Sequence, residues 1–230
     1  MLFDWLVVGQ IVPVNPASPV RGPKHVVKKG KMPVLSADET RALLDAIDVS
    51  TTVGLRDRAL IALMTYTFAR VGAAAGRMRV EDVYVQGRRT WVRLHEKGGK
   101  RHDMPCHHKL ETYLHDVEAL EAAARTGGTA LGPKSWLFRT TEGQSGVLTN
   151  RPMGQADVYR MIRRRAVAAG IRTKIGCHTF RATGITEYLR NGAKIEVAQQ
   201  MVNHESARTT GLYDRRDDRV SLDEVERILI

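Results

Sequence analysis

Apolar residues recur at helical spacing over most of the chain. Leu43, Leu44 and Ile47 form a stripe behind Ser36 and Glu39. That pair has the residue types of a capping box, in which a hydroxyl and a carboxylate three residues apart satisfy each other's orphan amides. Leu55, Leu60, Ile61, Leu63, Met64 and Phe68 predict a second, well-buried helix, and the small residues of 72–76 permit close packing after it. The pattern then changes. Residues 82–86 and 90–95, on either side of Gly87, have β-rich composition, and 101–105 offers a third strand after the turn at Gly98 and Gly99. Helical spacing returns over 107–124, 154–169, 179–190, 194–202 and 222–229, with Gly170 and Gly192 placed as C-terminal stops. Residues 126–134 and 141–151, rich in Gly, Thr and Pro, read as loops. The pattern predicts one α+β domain over residues 35–230, mostly helical, with a small antiparallel three-stranded sheet.

The front of the chain is different. Residues 5–14 are apolar but interrupted by Gly9, Gln10 and Pro13, well short of the ~20 residues a membrane span needs. Only Asp4 is charged ahead of them, against the basic start of a secretory signal. Residues 12–34 combine five prolines with Lys24, Lys28, Lys29 and Lys31, the composition of a basic, extended linker. The two cysteines, Cys106 and Cys177, provide neither a disulfide framework nor C-x-x-C spacing, which suits a reducing cytoplasm.

Charge sharpens the picture. The 230 residues are 43% hydrophobic and 27% charged, as in a globular protein, yet carry a net +11. The pI near 10.0 points to a polyanionic partner, most often nucleic acid, with anionic membrane as the alternative. Lys28 and Lys29 in the linker, Lys100 beside the hairpin turn, and Arg160, Arg163, Arg164 and Arg165 on the helix at 154–169 are the candidate DNA contacts. That helix standing alone is equally well read as a solvated face; the net charge favours DNA. His95, His102, His107 and His108 cluster in sequence but lack the Asp, Glu or Cys spacing of a metal site.

Candidate chemistry lies in an ordered set: Phe68-Ala69-Arg70-Val71, then Glu96-Lys97-Gly98-Gly99-Lys100 ending in Met104-Pro105, then Cys177-His178-Thr179-Phe180-Arg181. Gln199-Gln200-Met201-Val202-Asn203-His204 follows, and Thr209-Thr210-Gly211-Leu212-Tyr213 places Tyr213 nine residues after His204. Over residues 35–230 this resembles the tyrosine recombinase, or phage integrase, family. The resemblance implies an integrase-type catalytic domain that cleaves and rejoins double-stranded DNA at specific sites through a 3′-phosphotyrosyl intermediate, without metal, nucleotide cofactor or small-molecule substrate. It implies Tyr213 as nucleophile, Arg70 and Arg181 as fixed cationic forks on the nonbridging oxygens, and His204 as a further donor to them. Lys97 would protonate the leaving 5′ oxygen. His178, with an unperturbed pKa near ~6.5, would assist proton transfer from a tyrosine near ~10.

Three positions depart from the family pattern. Ala73 stands where an acid commonly supports the first arginine, Ala182 follows the second, and Val202-Asn203 precedes His204 in place of Leu-Gly. Residues 1–34 read as the remnant of a core-binding domain's last helix plus linker, so the chain is expected to be a catalytic fragment or truncated product. An alternative is a catalytically weak, DNA-binding fragment. Leu222, Val225, Ile228, Leu229 and Ile230 make an amphipathic terminal helix, which in the family docks on a neighbour within a DNA-dependent homotetramer; docking in cis is the alternative.

Overall fold

A computed structural model describes residues 2–21, 32–123, 132–143 and 145–202, the side chains of Lys97 and of 118–123 excepted. Helix α1 (Leu2–Val8) buries none of its residues. Ser36 caps α2 (Ala37–Asp45) in the expected box, its hydroxyl accepting from the Glu39 amide at 3.0 Å while Glu39 accepts from the Ser36 amide at 2.8 Å. Helix α3 (Thr52–Tyr66) is buried from Gly54 to Thr65 except at Arg58. Being covered on most sides, it forms the centre of the domain, consistent with its unbroken apolar run.

The one-turn helix α4 (Val71–Ala74) follows. Strands β1 (Val83–Gln86), β2 (Arg89–His95) and β3 (Arg101–Pro105) then form an antiparallel sheet with β2 in the middle. Val92 pairs with Val83 on one side and Met104 on the other, and Val92, Leu94 and Met104 supply its buried face. Helix α5 (His108–Ala123) packs on α3. The remaining elements are β4 (Arg139–Thr141), β5 (Leu148–Pro152), α6 (Gln155–Ala168), α7 (Cys177–Arg190) and α8 (Ile195–Met201). Gly170 and Gly192 follow α6 and α7 at φ of 69° and 80°, the left-handed conformation of a helix stop.

Two expectations are corrected. The stretch 141–151, read as loop, contains most of an antiparallel β4–β5 hairpin. It is held by backbone pairing and a 2.6 Å hydrogen bond between the Thr140 and Thr149 hydroxyls, rather than by an apolar alternation visible in the sequence. Helix α7 begins at Cys177, two residues before its expected start. Gly176 lies in extended backbone at φ −148°, and the Thr179 hydroxyl reaches back to accept its amide at 3.1 Å, so the first turn closes ahead of Thr179.

Helix α7 crosses α3 at Gly184. A Cβ there would lie 2.1 Å from the Thr65 carbonyl oxygen and 2.8 Å from the Phe68 ring, so only glycine permits this approach. Besides the main core, Phe68, Ile185, Leu189, Ala198 and Val202 form a small second cluster that seats α8 on α7. The predicted helix at 222–229 lies outside the described residues. Among the described residues, no helix is long and apolar enough to cross a membrane.

Candidate active site

The early start of α7 puts His178 in its first turn and Arg181 three residues on, neighbours on one helix face. They differ in depth. His178 is exposed, whereas Arg181 is 1% exposed and the largest fully buried side chain of the domain. The Arg181 guanidinium donates from Nη1 to the Phe68 carbonyl oxygen and from Nη2 to that of Val202, the latter at 3.0 Å. One buried cation thus ties together the segment leading to Arg70 and the end of α8, immediately before Asn203 and His204. The family resemblance assigns this fork to phosphate oxygens; in the structure two of its nitrogens hold backbone carbonyls, and it forms the floor of the site.

Phe68 explains why such a tie is needed. Its φ is 55°, a left-handed conformation rare for a bulky residue and unfavourable by about 1–3 kcal/mol. Its ring is buried in the second cluster, edge-on to Tyr188 at 6.0 Å, and its carbonyl is held by Arg181. The kink ends α3 and delivers Arg70 as the extended N-cap residue of α4. There the Arg70 side chain is 38% exposed and donates through Nη1 to Glu96 Oε2 at 2.8 Å.

Glu96 ends the β2 side of the hairpin that carries Lys97. Its side chain is 5% exposed, and its backbone amide donates to the Lys100 carbonyl at 2.8 Å, closing the turn. Lys97, Gly98 and Gly99 form a tight turn, with the two glycines in left-handed backbone at φ of 79° and 76°. The backbone of Lys97 therefore lies directly beside the Arg70–Glu96 pair; the Lys97 side chain lies outside the described part.

Electrostatics reports the same proximity. Partial burial, then the Arg181 charge, then the Arg70 charge hold His178 below its ordinary value of 6.5. The shift favours the neutral ring, the form that accepts a proton. The cysteines offer no competing nucleophile: burial pushes Cys106 up to about 12 and also raises Cys177, so both remain thiols near neutrality. His107 stacks on Tyr66 at 4.2 Å and against His108 at 4.1 Å, while His95 meets Asp82 at 2.9 Å. Among the described residues, no three His, Cys, Asp or Glu side chains gather as a metal-holding group.

The structure therefore brings together Arg70, His178, Arg181 and the backbone turn of Lys97. His204 and Tyr213 lie outside the described residues, as do Lys28 and Lys29. The candidate DNA contacts divide. Lys100, Arg160 and Arg164 are exposed and Arg163 partly so. Arg160 pairs at 2.6 Å with Asp157, which also accepts the Gly154 amide at the start of α6. Arg165 points the other way, donating from Nε and Nη2 to Asp57 Oδ2 at 3.0 and 2.9 Å. Asp57 is fully buried and also binds Arg56, which in turn reaches the Arg139 carbonyl at 2.6 Å. The fork of Arg165 is thus committed to the interior.

The sequence reading left out two partners of the candidate residues, Glu96 and Asp57. Glu96 stands inside the hairpin motif itself, and its place next to Lys97 was the available signal. Nothing local marked Asp57, whose arginine lies 108 residues away.

Known proteins resemble this chain in sequence and in fold. A tyrosine recombinase XerD of Corynebacterium glutamicum is 31% identical over 186 residues, 78% of this chain and 55% of that protein. The XerD of Staphylococcus aureus is 29% identical over 80% of this chain and 58% of its own length. The chain thus spans little more than half the length of these relatives. Among solved structures, XerA recombinase superposes with a TM-score of 0.63 at 25% identity, covering 89% of this chain and 65% of that one. The pre-cleavage complex of XerH with its difH substrate gives 0.68 at 18% identity over 98% and 61%. A lambda integrase dimer bound to a COC′ core site gives 0.64 at 18% over 96% and 72%, so the last two establish the shared fold. Residues 33–219 match the phage integrase family, and the chain belongs to it.

Proposed function

We propose that this protein is a site-specific DNA recombinase that cleaves and rejoins strands through a covalent phosphotyrosyl link. The observation that carries the reading is the convergence of Arg70, His178, Arg181 and the Lys97 turn at one place, in a chain of the phage integrase family. Residues 35–230 supply the catalytic domain in this reading, with 1–34 as helix and linker.

The chemistry follows from the groups. The Tyr213 oxygen attacks the scissile phosphorus while His178, its neutral form favoured by the nearby arginines, takes the phenolic proton. The bond from phosphorus to the 5′ oxygen breaks, Lys97 gives that oxygen a proton, and a 3′-phosphotyrosyl ester remains. Arg70 at the mouth of the site binds a nonbridging oxygen, His204 donates to the other, and Arg181 contributes positive potential from the floor. Fixed charges of this kind need no reorganisation as negative charge builds on the phosphorane-like transition state. A second strand's 5′ hydroxyl reverses the steps, so the bond energy is conserved and no nucleotide is consumed.

Double-stranded DNA at specific sites is the partner we assign, in the cytoplasm, with Lys28, Lys29, Lys100, Arg160, Arg163 and Arg164 on its backbone. Related proteins crystallise on such substrates, including a lambda integrase tetramer bound to a Holliday junction. We extend the tetramer to this chain, formed on DNA. Strand cleavage on nicked suicide duplexes tests the function: wild type should accumulate cleaved strand, and Tyr213→Phe should bind the duplex without cutting it. Equal cleavage by the two proteins would reject the assignment.

A further inference from the structure

We propose that Glu96 is the positioning residue for Arg70, taking over the support absent at Ala73 and latching the Lys97 turn to the arginine that faces the phosphate. The inference rests on the recombinase reading above. Ala73 is 4% exposed within the single turn of α4, and its methyl group accepts no hydrogen bond. Glu96 comes from another element altogether, yet its carboxylate meets the Arg70 guanidinium at 2.8 Å.

The contact is built to hold. A carboxylate with 5% exposure is costly to keep charged unless it is paired, and its described ion-pair partner is Arg70. The Glu96 backbone is fixed on both sides: its amide bonds Lys100 across the turn, and its carbonyl accepts Arg77 Nη1 at 3.3 Å. Arg70 is 38% exposed at the start of a four-residue helix, and Glu96 is its ion-pair partner among the described residues. Holding one nitrogen of the rigid planar fork restricts how the whole guanidinium can turn.

The same contact has a second effect. Glu96 is bonded in the chain to Lys97, so the hairpin turn carrying the candidate proton donor cannot shift without pulling on Arg70. Charge stabilisation at the nonbridging oxygen and protonation of the leaving oxygen are thereby set in register.

Single-turnover cleavage of a nicked suicide duplex by the full chain tests this, comparing wild type, Glu96→Gln and Glu96→Asp, with thermal unfolding and DNA affinity measured in parallel. Glu96→Gln keeps the shape and removes the charge. It should cleave about tenfold to a hundredfold more slowly with DNA affinity unchanged, the scale expected when a catalytic group is misplaced by about 1 Å. The deficit should shrink on a duplex whose scissile phosphate carries a neutral methyl group in place of one nonbridging oxygen, because such a substrate makes less demand on Arg70. A structural role alone would slow both substrates equally, and that result, or wild-type cleavage by Glu96→Gln, would overturn the proposal. Should Glu96→Gln fail to fold, Glu96→Asp retains the buried charge but shortens its reach; it should also cleave slowly, and wild-type cleavage by it would overturn the proposal. A wild-type chain that binds the duplexes without cutting any would overturn the recombinase reading, and the positioning role with it.

Discussion

His178 shows how a single residue's chemistry is set by its surroundings. Desolvation and two arginines lower its pKa, so the neutral ring is favoured to lower pH than in a free imidazole. In the recombinase reading the acid limb of the cleavage-rate profile therefore lies below 6.5, where His178 takes up a proton and can no longer accept one from tyrosine. The sign for a variant is fixed. Removing the Arg70 charge in Arg70→Gln takes away one of the repulsions, so the His178 pKa must move up toward 6.5. Titration of the His178 ring by NMR in wild type and variant measures this, and a pKa that stays put or falls would show that Arg70 does not act on that imidazole. Residue types and order were legible at this scale, because the pattern Cys177-His178-Thr179-Phe180-Arg181 is local. The depth of Arg181 was not, since its partners are carbonyls at Phe68 and Val202, 113 and 21 residues away.

Between elements, the interior ion network does what no single helix could. Asp57 on α3 accepts Arg56 from its own helix and both donors of Arg165 from α6, and Arg56 continues to the carbonyl of Arg139 at the start of β4. The carboxylate is fully buried. Asp57→Ala leaves two arginines facing each other without their shared anion, and removal of one partner from such a buried set destabilises by about 3–5 kcal/mol. Chemical denaturation of the two proteins checks the value; a loss near that of an exposed ion pair, below about 1 kcal/mol, would mean that water already supports these charges. The elements themselves were largely readable, because helix faces, the Ser36–Glu39 box and the β-rich strands around Gly87 are local signals. The β4–β5 hairpin escaped because Arg139–Thr141 and Leu148–Pro152 show no apolar alternation and are held by backbone pairing and polar contacts such as the Thr140–Thr149 hydroxyl bond. Arg165 escaped for the opposite reason. It looks like its neighbours Arg163 and Arg164 until the tertiary structure supplies Asp57.

At the scale of the whole molecule, the +11 charge meets a surface that presents Arg160, Arg163 and Arg164 on α6. DNA affinity should fall steeply with salt, by roughly a thousandfold between about 50 and 200 mM if about six phosphates are engaged. Neutralising these three arginines to Gln should flatten the slope of log affinity against log salt by about 0.9 for each phosphate that is no longer neutralised, whereas Arg165→Gln should lower stability and leave the slope nearly unchanged. Fluorescence titrations over a salt series distinguish the two; a slope change from Arg165→Gln as large per arginine as that of the triple variant would contradict the proposed division of α6 into a DNA face and a core face.

In the recombinase reading the arginines, His178 and the lysine turn serve a tyrosine nucleophile. Mass spectrometry of the covalent product formed on a suicide duplex, after digestion of protein and DNA, locates that nucleophile. The account predicts a nucleotide attached through a 3′-phosphate to the peptide that contains Tyr213, and its disappearance in Tyr213→Phe. A nucleotide on any other residue, or cleavage that leaves no covalent product, would contradict it.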